Sequence, residues 1–354
     1  MGSGLGGARS ASAFRAVPHQ STLTLVLVLS RTETERLLDL DALRHSLREA
    51  MQDVSADRAS MPPRIAAMVP DRGLLAAMPA YAPTTGGLAA KLVTLFAGNA
   101  QGPLPTHQAV VVVFDPDSGE PLAFMDGTSI TTLRTAAGSA LSAELLARED
   151  ASTLAILGTG VQARAHAEAM VRVRPIRHVR VAGRSRERAE SLASALRDSL
   201  GIDVRPVDTY AEACADADLV CAATHSPDPV VHREALKPGV HVMSVGYNTA
   251  GREVDSATVV DSMVLVESRA AVLAPPPAGS NDLSTPMQEG LIGPDHIHAE
   301  IGELLLGTRT GRSSPDQITL YKSVGIAAQD VAASNLVLSA AREQKLGIEI
   351  ELSR

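Results

Sequence analysis

The chain has 354 residues, with 40 acidic side chains against 32 basic ones, for a formal charge of −8. Hydrophobic residues make up 45% of it and charged residues 20%, which excludes a disordered chain. With four Tyr, four Phe and no Trp, its core is expected to be aliphatic, and it lacks both the stacking platforms of single-strand binders and a basic footprint for duplexes.

Residues 1–20, rich in Gly, Ser and Ala, read as a flexible extension. Arg9 and Arg15 before the apolar run Leu23–Leu29 imitate a signal peptide, but no small-x-small cleavage site follows, and alternation from Thr22 to Val26 predicts a strand. No stretch reaches the roughly 18 apolar residues of a membrane span. Leu37, Leu40, Leu43 and Leu47 give helical spacing over 32–51, with Asp41 as the candidate cap. After the Pro62-Pro63 break come strand-like segments at 73–79, 88–96 and 109–114. The turn formers of 115–119 join the last of these to another at 122–125. Thr131 or Thr132 can cap a helix that runs through Arg134 to Leu146.

From there strands at 153–157, 178–182, 219–223, 240–245 and 264–267 are interleaved with helices, the clearest at 163–173 and 187–200. Short apolar strands between amphipathic helices predict an α/β fold with a doubly wound, mostly parallel sheet. Pro275 to Pro277 mark an irregular loop. A strand at 318–321 and a helix over 325–344 are too short for a third domain and are expected to pack back on the N-terminal one. Cys214 and Cys221 cannot build a disulfide framework; as buried thiols they suit a reducing cytoplasm.

The most specific local signal is Gly158-Thr159-Gly160-Val161-Gln162-Ala163, a G-x-G-x-x-A run directly after a predicted strand and opening a helix. Gly158 permits the tight turn, Gly160 lets backbone approach a pyrophosphate, and Ala163 allows close helix–strand packing. The helix N-terminus then offers free N–H groups to phosphate. An NAD site places a carboxylate at the end of the second strand to hold the ribose hydroxyls. Here that strand runs into Gly183-Arg184-Ser185-Arg186, so NADP(H) is favoured over NAD(H), with Arg184, Ser185, Arg186 and Arg188 as partners for a 2′-phosphate. Arg172, Arg174 and Arg177 read instead as a solvated helix face.

Further segments extend this pattern in order along the chain. Met78-Pro79-Ala80-Tyr81, Lys91-Leu92-Val93-Thr94, Thr106-His107-Gln108-Ala109, and Phe124 through Ala137 resemble the ornithine cyclodeaminase/mu-crystallin family, as do Leu157 to Ala163, Lys237-Pro238-Gly239, Ser244-Val245-Gly246 and Tyr321-Lys322-Ser323-Val324-Gly325. The resemblance runs from about 60 to 335 and is closest to the ketimine reductase/mu-crystallin-like branch. It implies a homodimer with a substrate-binding and dimerisation domain from 21–127 and 318–354, and a Rossmann dinucleotide-binding domain from 128–317. It also implies that Arg64, Lys91 and Arg134 hold a substrate carboxylate, and that Thr106 and His107 lie near the nicotinamide and its ribose. Arg134, Thr224, Val245, Gly246, Ser323 and Gly325 complete the cofactor site it implies. Arg134 stands out further: a cation in a helix's first turn opposes the helix dipole, and a broken local rule points to function.

Two departures narrow the chemistry that the resemblance implies. Cyclodeaminases carry an Asp where this chain has Asn248, which cannot act as a general base, and a Glu where it has Ala77. What remains suits an NADPH-dependent reductase of an imino acid such as Δ1-pyrroline-2-carboxylate or Δ1-piperideine-2-carboxylate, giving proline or pipecolate. The alternatives are an ornithine or lysine cyclodeaminase in which Asp255 or Asp282 compensates for Asn248, an alanine-dehydrogenase-like oxidoreductase, and an NADPH-dependent ligand-binding protein.

Overall fold

Leu74, Ala76, Met78, Ala80 and Ala82 are buried while Leu75, Pro79 and Tyr81 are exposed, the period-two pattern of a strand with one covered face. The same alternation organises a seven-stranded sheet. The computed structural model describes residues 24–248, 251–275 and 278–352. Outside the described residues lie the expected extension over 1–20, Thr22 and Leu23 of the predicted first strand, and Pro276 and Pro277 of the predicted loop.

The chain opens with β1 (Leu25–Leu29), α1 (Arg31–Leu37), α2 (Leu40–Ser55), β2 (Ile65–Val69), β3 (Gly73–Ala82), β4 (Gly87–Leu95), β5 (His107–Phe114) and β6 (Pro121–Asp126). The expected single helix over 32–51 is two. Asp39, not Asp41, caps the second: its Oδ1 accepts from the N–H groups of Asp41 and Ala42. A long helix, α3 (Gly127–Leu146), then leads out of this sheet. Its cap is Asp126, which accepts from Ser129 N; Thr131 and Thr132 instead return their hydroxyls to the carbonyls of Gly127 and Thr128. Arg134 therefore sits two turns inside α3, where the helix dipole says nothing about it. Its burial carries the argument instead.

The second sheet is built from β7 (Thr153–Leu157), α4 (Val161–Val173), β8 (His178–Ala182), α5 (Arg186–Leu200), β9 (Asp203–Pro206), α6 (Tyr210–Cys214), β10 (Leu219–Ala222), β11 (His241–Ser244), α7 (Ser256–Asp261), β12 (Met263–Val266), α8 (Arg269–Val272), α9 (Asn281–Gln288), β13 (Ile297–Glu300), α10 (Ile301–Leu305) and β14 (Thr319–Lys322). All its pairings are parallel, in the order β13-β12-β14-β11-β10-β7-β8-β9. The order reverses between β7 and β10, which opens a crevice at the carboxyl ends of those strands. Cys214 and Cys221 are buried free thiols, and burial pushes Cys214 up to about 12.

The last elements are α11 (Ala327–Gln344) and β15 (Ile348–Glu351). As expected, α11 returns to the first sheet, packing on α2, α3, β3 and β4. The strand β15 pairs antiparallel with β1, giving the order β15-β1-β6-β5-β4-β3-β2. One boundary moves. β14 lies between β11 and β12 in the second sheet, so the chain crosses back after Lys322 and not at 318. Arg174 is no solvated residue either: its guanidinium donates to the carbonyls of Glu144, Ala147 and Arg148 and closes the end of α3.

Candidate active site

The turn between β7 and α4 has the shape a pyrophosphate needs. Gly158 has φ +119°, and a Cβ there would come within 2.6 Å of Ala223 O, so only glycine fits. A Cβ on Gly160, by contrast, meets nothing within 4 Å, which leaves open space over the backbone. Gly160 caps α4 without a side-chain bond, so the first N–H groups of the helix, beginning at Val161, stay available to an anion. Ala163 is fully buried against the sheet, and Gln162 reaches back towards Thr131 O at 3.5 Å.

At the end of β8 the four predicted phosphate partners divide. Arg186 is held by Glu190 and Asp208. Ser185 caps α5, its Oγ accepting from Arg188 N at 3.2 Å. Among the described residues the guanidinium groups of Arg184 and Arg188 have no ion-pair partner. Arg188 lines a cleft with Thr159, Arg164 and Ser191. Arg184 lies near enough to the Tyr210 phenol for its charge to act there, against the burial that pushes that phenol up.

The structure brings Arg64, Lys91, Arg134 and His107 together. Lys91 is on the helix-covered face of β4, with its Nζ 2.7 Å from Asp330 Oδ2; Arg134 Nε is 3.2 Å from Asp330 Oδ1. Arg134 Nη1 also donates to Gln329 Oε1 at 2.9 Å. Arg64, just before β2, donates through Nη2 to the carbonyls of Val324 and Gly325 at 2.9 Å each. Burial, opposed by Asp330 and reinforced by the neighbouring arginines, lowers Lys91 to about 8. Burial, then the charges of Lys91 and Arg134, lowers His107 to about 4, so its ring is neutral at ordinary pH. Thr106, next to it, is tied by its carbonyl to Phe96 N.

Two buried carboxylates that sequence reasoning missed shape the loops around this cluster. Glu253 accepts from Thr224 N and Oγ1, Ser244 Oγ and Gly246 N, fixing the turns after β10 and β11 that carry Thr224, Val245 and Gly246. Burial raises its pKa. Glu267 accepts from Ser323 Oγ and from the N–H groups of Val324 and Gly325. Lys322, at the end of β14, donates to Ser244 Oγ and Gly246 O and pairs with Asp282 at 2.8 Å. A charged residue in an otherwise apolar stretch was the available signal for Asp330, Glu267 and Lys322.

Asn248 is turned to its own loop: its Nδ2 donates to His225 O and its Oδ1 accepts from Gly251 N, both at 2.9 Å. The two acids considered as substitutes are committed elsewhere. Asp255 caps α7, and Asp282 accepts from Glu253 N and Val254 N besides pairing with Lys322.

The same arrangement of sheets recurs in known proteins. A Δ1-pyrroline-2-carboxylate reductase of Bacillus cereus is 33% identical over 332 residues, covering 92% of this chain and 100% of its own. The mouse ketimine reductase mu-crystallin is 37% identical over 267 residues, 75% of this chain and 80% of that protein. The structure of Thermococcus litoralis Δ1-pyrroline-2-carboxylate reductase in complex with NADH and L-proline superposes with a TM-score of 0.88 at 35% identity, over 92% of this chain and 100% of that one. The family model for ornithine cyclodeaminase/mu-crystallin matches residues 24–345. Since that match takes in the whole second sheet, all of the first except β15, the glycine cradle and the cation cluster, the chain belongs to the ornithine cyclodeaminase/mu-crystallin family.

Proposed function

We propose that this protein is an NADPH-dependent reductase of a cyclic α-imino acid, Δ1-pyrroline-2-carboxylate or its six-membered homologue, with proline or pipecolate as product. One observation carries the reading. Arg64, Lys91 and Arg134 meet Asp330 and Glu267 in one buried cluster, three cations against two carboxylates. A single substrate carboxylate supplies the missing negative charge, and arginine and lysine are the residues suited to it. Relatives named for this substrate match along nearly the whole chain.

The cradle at Gly158 and Gly160 fits a dinucleotide, which when bound supplies the hydride. Gly158, Thr159, Gly160, Val161 and Gln162 would hold its pyrophosphate, and Thr106, His107, Thr224, Val245, Gly246, Ser323 and Gly325 its nicotinamide half. The chain's own contribution is positioning. Arg64, Lys91 and Arg134 hold the carboxylate, and that fixes the adjacent C=N carbon towards the cofactor. A protonated ring nitrogen makes the imine electrophilic, so reduction needs no general base at Asn248. Among the described residues Asp255 and Asp282 are engaged elsewhere, which supports reduction over deamination.

Although the Thermococcus litoralis relative holds NADH, the unpaired Arg184 and Arg188 and the lack of a carboxylate at the end of β8 support NADPH here. A homodimer is supported by the outer face of the first sheet, where Ile65, Leu75, Tyr81 and Leu92 on β2, β3 and β4 are exposed together. Buried unpaired thiols suit the cytoplasm, and among the described residues no helix is long and apolar enough to cross a membrane. The test is a paired assay with NADPH and NADH on Δ1-pyrroline-2-carboxylate. A fall at 340 nm, faster with NADPH, is expected; no fall with either cofactor overturns the reading.

A further inference from the structure

Glu267 follows β12 directly and is fully buried. Its Oε1 accepts from the Tyr321 hydroxyl at 3.1 Å and from Ser323 Oγ at 2.7 Å; its Oε2 accepts from Val324 N and Gly325 N, both at 3.0 Å. Four donors converge on one carboxylate, and a buried carboxylate is costly unless so satisfied. An uncharged amide could not replace it, because its N–H₂ end would face donors.

What distinguishes this arrangement from a simple tie between β12 and β14 is the other side of the segment. The two residues whose N–H groups reach Glu267 are those whose carbonyls, Val324 O and Gly325 O, receive Arg64 Nη2 at 2.9 Å each. The segment is therefore bonded to the carboxylate on one side and to the guanidinium on the other. It also has no slack. Gly325 has φ +71°, and a Cβ there would come within 2.5 Å of Arg134 Nη1. Among the described residues Arg64 Nε and Nη1 have no hydrogen-bond partner, so the guanidinium is anchored by one nitrogen and offers the other two.

We infer that Glu267 is a positioning residue for substrate recognition: through Val324 and Gly325 it sets the orientation in which Arg64 meets the substrate carboxylate. This deepens the imino acid reading and rests on it. The negative charge of Glu267 also offsets Arg134 in the field felt by Arg64.

The test titrates NADPH-loaded protein with pyrrole-2-carboxylate, a planar ring carboxylate that has no C=N bond to reduce, by calorimetry, alongside turnover of Δ1-pyrroline-2-carboxylate. Glu267→Gln is expected to weaken pyrrole-2-carboxylate binding about tenfold and to raise KM for the imino acid similarly, with a smaller fall in kcat. NADPH affinity, followed by cofactor fluorescence, should fall by less than about threefold, because the cradle at Gly158 and Gly160 is apart from Glu267. In an Arg64→Ala background the same substitution should add less than about a twofold loss, because both act through one contact. Unchanged carboxylate affinity, or losses that multiply in the double variant, overturn the inference. If Glu267→Gln does not fold, Glu267→Asp keeps the charge but shortens the reach, and the same weakening is required of it. A wild-type protein that binds pyrrole-2-carboxylate without reducing the imino acid refutes the reductase reading alone, and the binding comparison still decides the role of Glu267. A wild-type protein that binds no carboxylate overturns both.

Discussion

Asp330 Oδ2 lies 2.7 Å from Lys91 Nζ, with both side chains 2% exposed, although the two residues come from opposite ends of the chain. The other oxygen of Asp330 reaches Arg134, so one carboxylate holds two of the three clustered cations. Asp330→Asn keeps the shape and removes the charge, leaving two buried cations short of a counter-ion. We expect a loss of about 3–5 kcal/mol, the usual cost of breaking a buried pair from one side. Urea unfolding checks it. Imino acid turnover should fall by more than tenfold even where the variant remains folded.

The pH dependence of substrate binding follows from Lys91. Burial holds it near 8 in the folded, substrate-free protein, against 10.5 for an exposed lysine. The charged form binds the carboxylate, so KM for the imino acid should be flat below pH 8 and rise about tenfold per unit above it, until the imine's own titration intervenes. For stability the sign is opposite. The unfolded chain holds this proton more tightly, so the protein gains stability as pH rises from about 8 towards 10.5. A KM that is constant from pH 7 to 10 would remove Lys91 from the clamp.

The glycine cradle was legible because its chemistry is local: strand, turn and helix are consecutive, and each glycine answers to a backbone requirement within a few residues. That Arg64, Lys91 and Arg134 lie together was legible from motif resemblance, but the helix dipole gives no reason for Arg134. Its helix begins seven residues earlier, at Gly127, under an Asp126 cap that competes with Thr131 and Thr132 for the same role. What sequence could not give is which cations Asp330 and Glu267 meet. Asp330 lies within α11 among alanines and valines, and Glu267 ends an apolar strand. Each finds its partners only when distant segments meet. The pairing of a buried charge is a tertiary property that a one-dimensional pattern does not carry.

Cofactor choice makes a separable prediction. Arg184→Ala and Arg188→Ala should each raise KM for NADPH by about three- to tenfold, modest because both side chains are exposed and screened, and change KM for NADH by less than about twofold. Arg186→Ala should leave both nearly unchanged, since its guanidinium is taken by Glu190 and Asp208. Equal effects on NADPH and NADH would remove the 2′-phosphate role.

Acid stability should depend on two histidines far from the clamp. His166 lies between Gln162 O and Ser139 Oγ, and His241 between Ser142 Oγ and Thr319 Oγ1, both fully buried. Burial lowers them to about 4 and about 3. The unfolded chain binds protons at these positions first, so stability is lost as pH falls below 6.5. The loss should reach about 2–3 kcal/mol for each histidine by pH 4.5. Urea midpoints measured at pH 6.5 and 4.5 test this, and equal midpoints would contradict it.

The pairing of β1 with β15, in which Leu25 stands opposite Glu351, bears on the order in which the molecule assembles. The second sheet is drawn from one continuous stretch, 153–322, and has all its strands once that stretch has left the ribosome. The first sheet must wait for the end of the chain, with the edge of β1 open and Lys91 and Arg134 without Asp330. The cradle for the dinucleotide can thus exist before the pocket for the acid does. A chain halted at residue 322 should fold a nucleotide-binding half while Lys91 and Arg134 still lack the counter-ion that Asp330 provides.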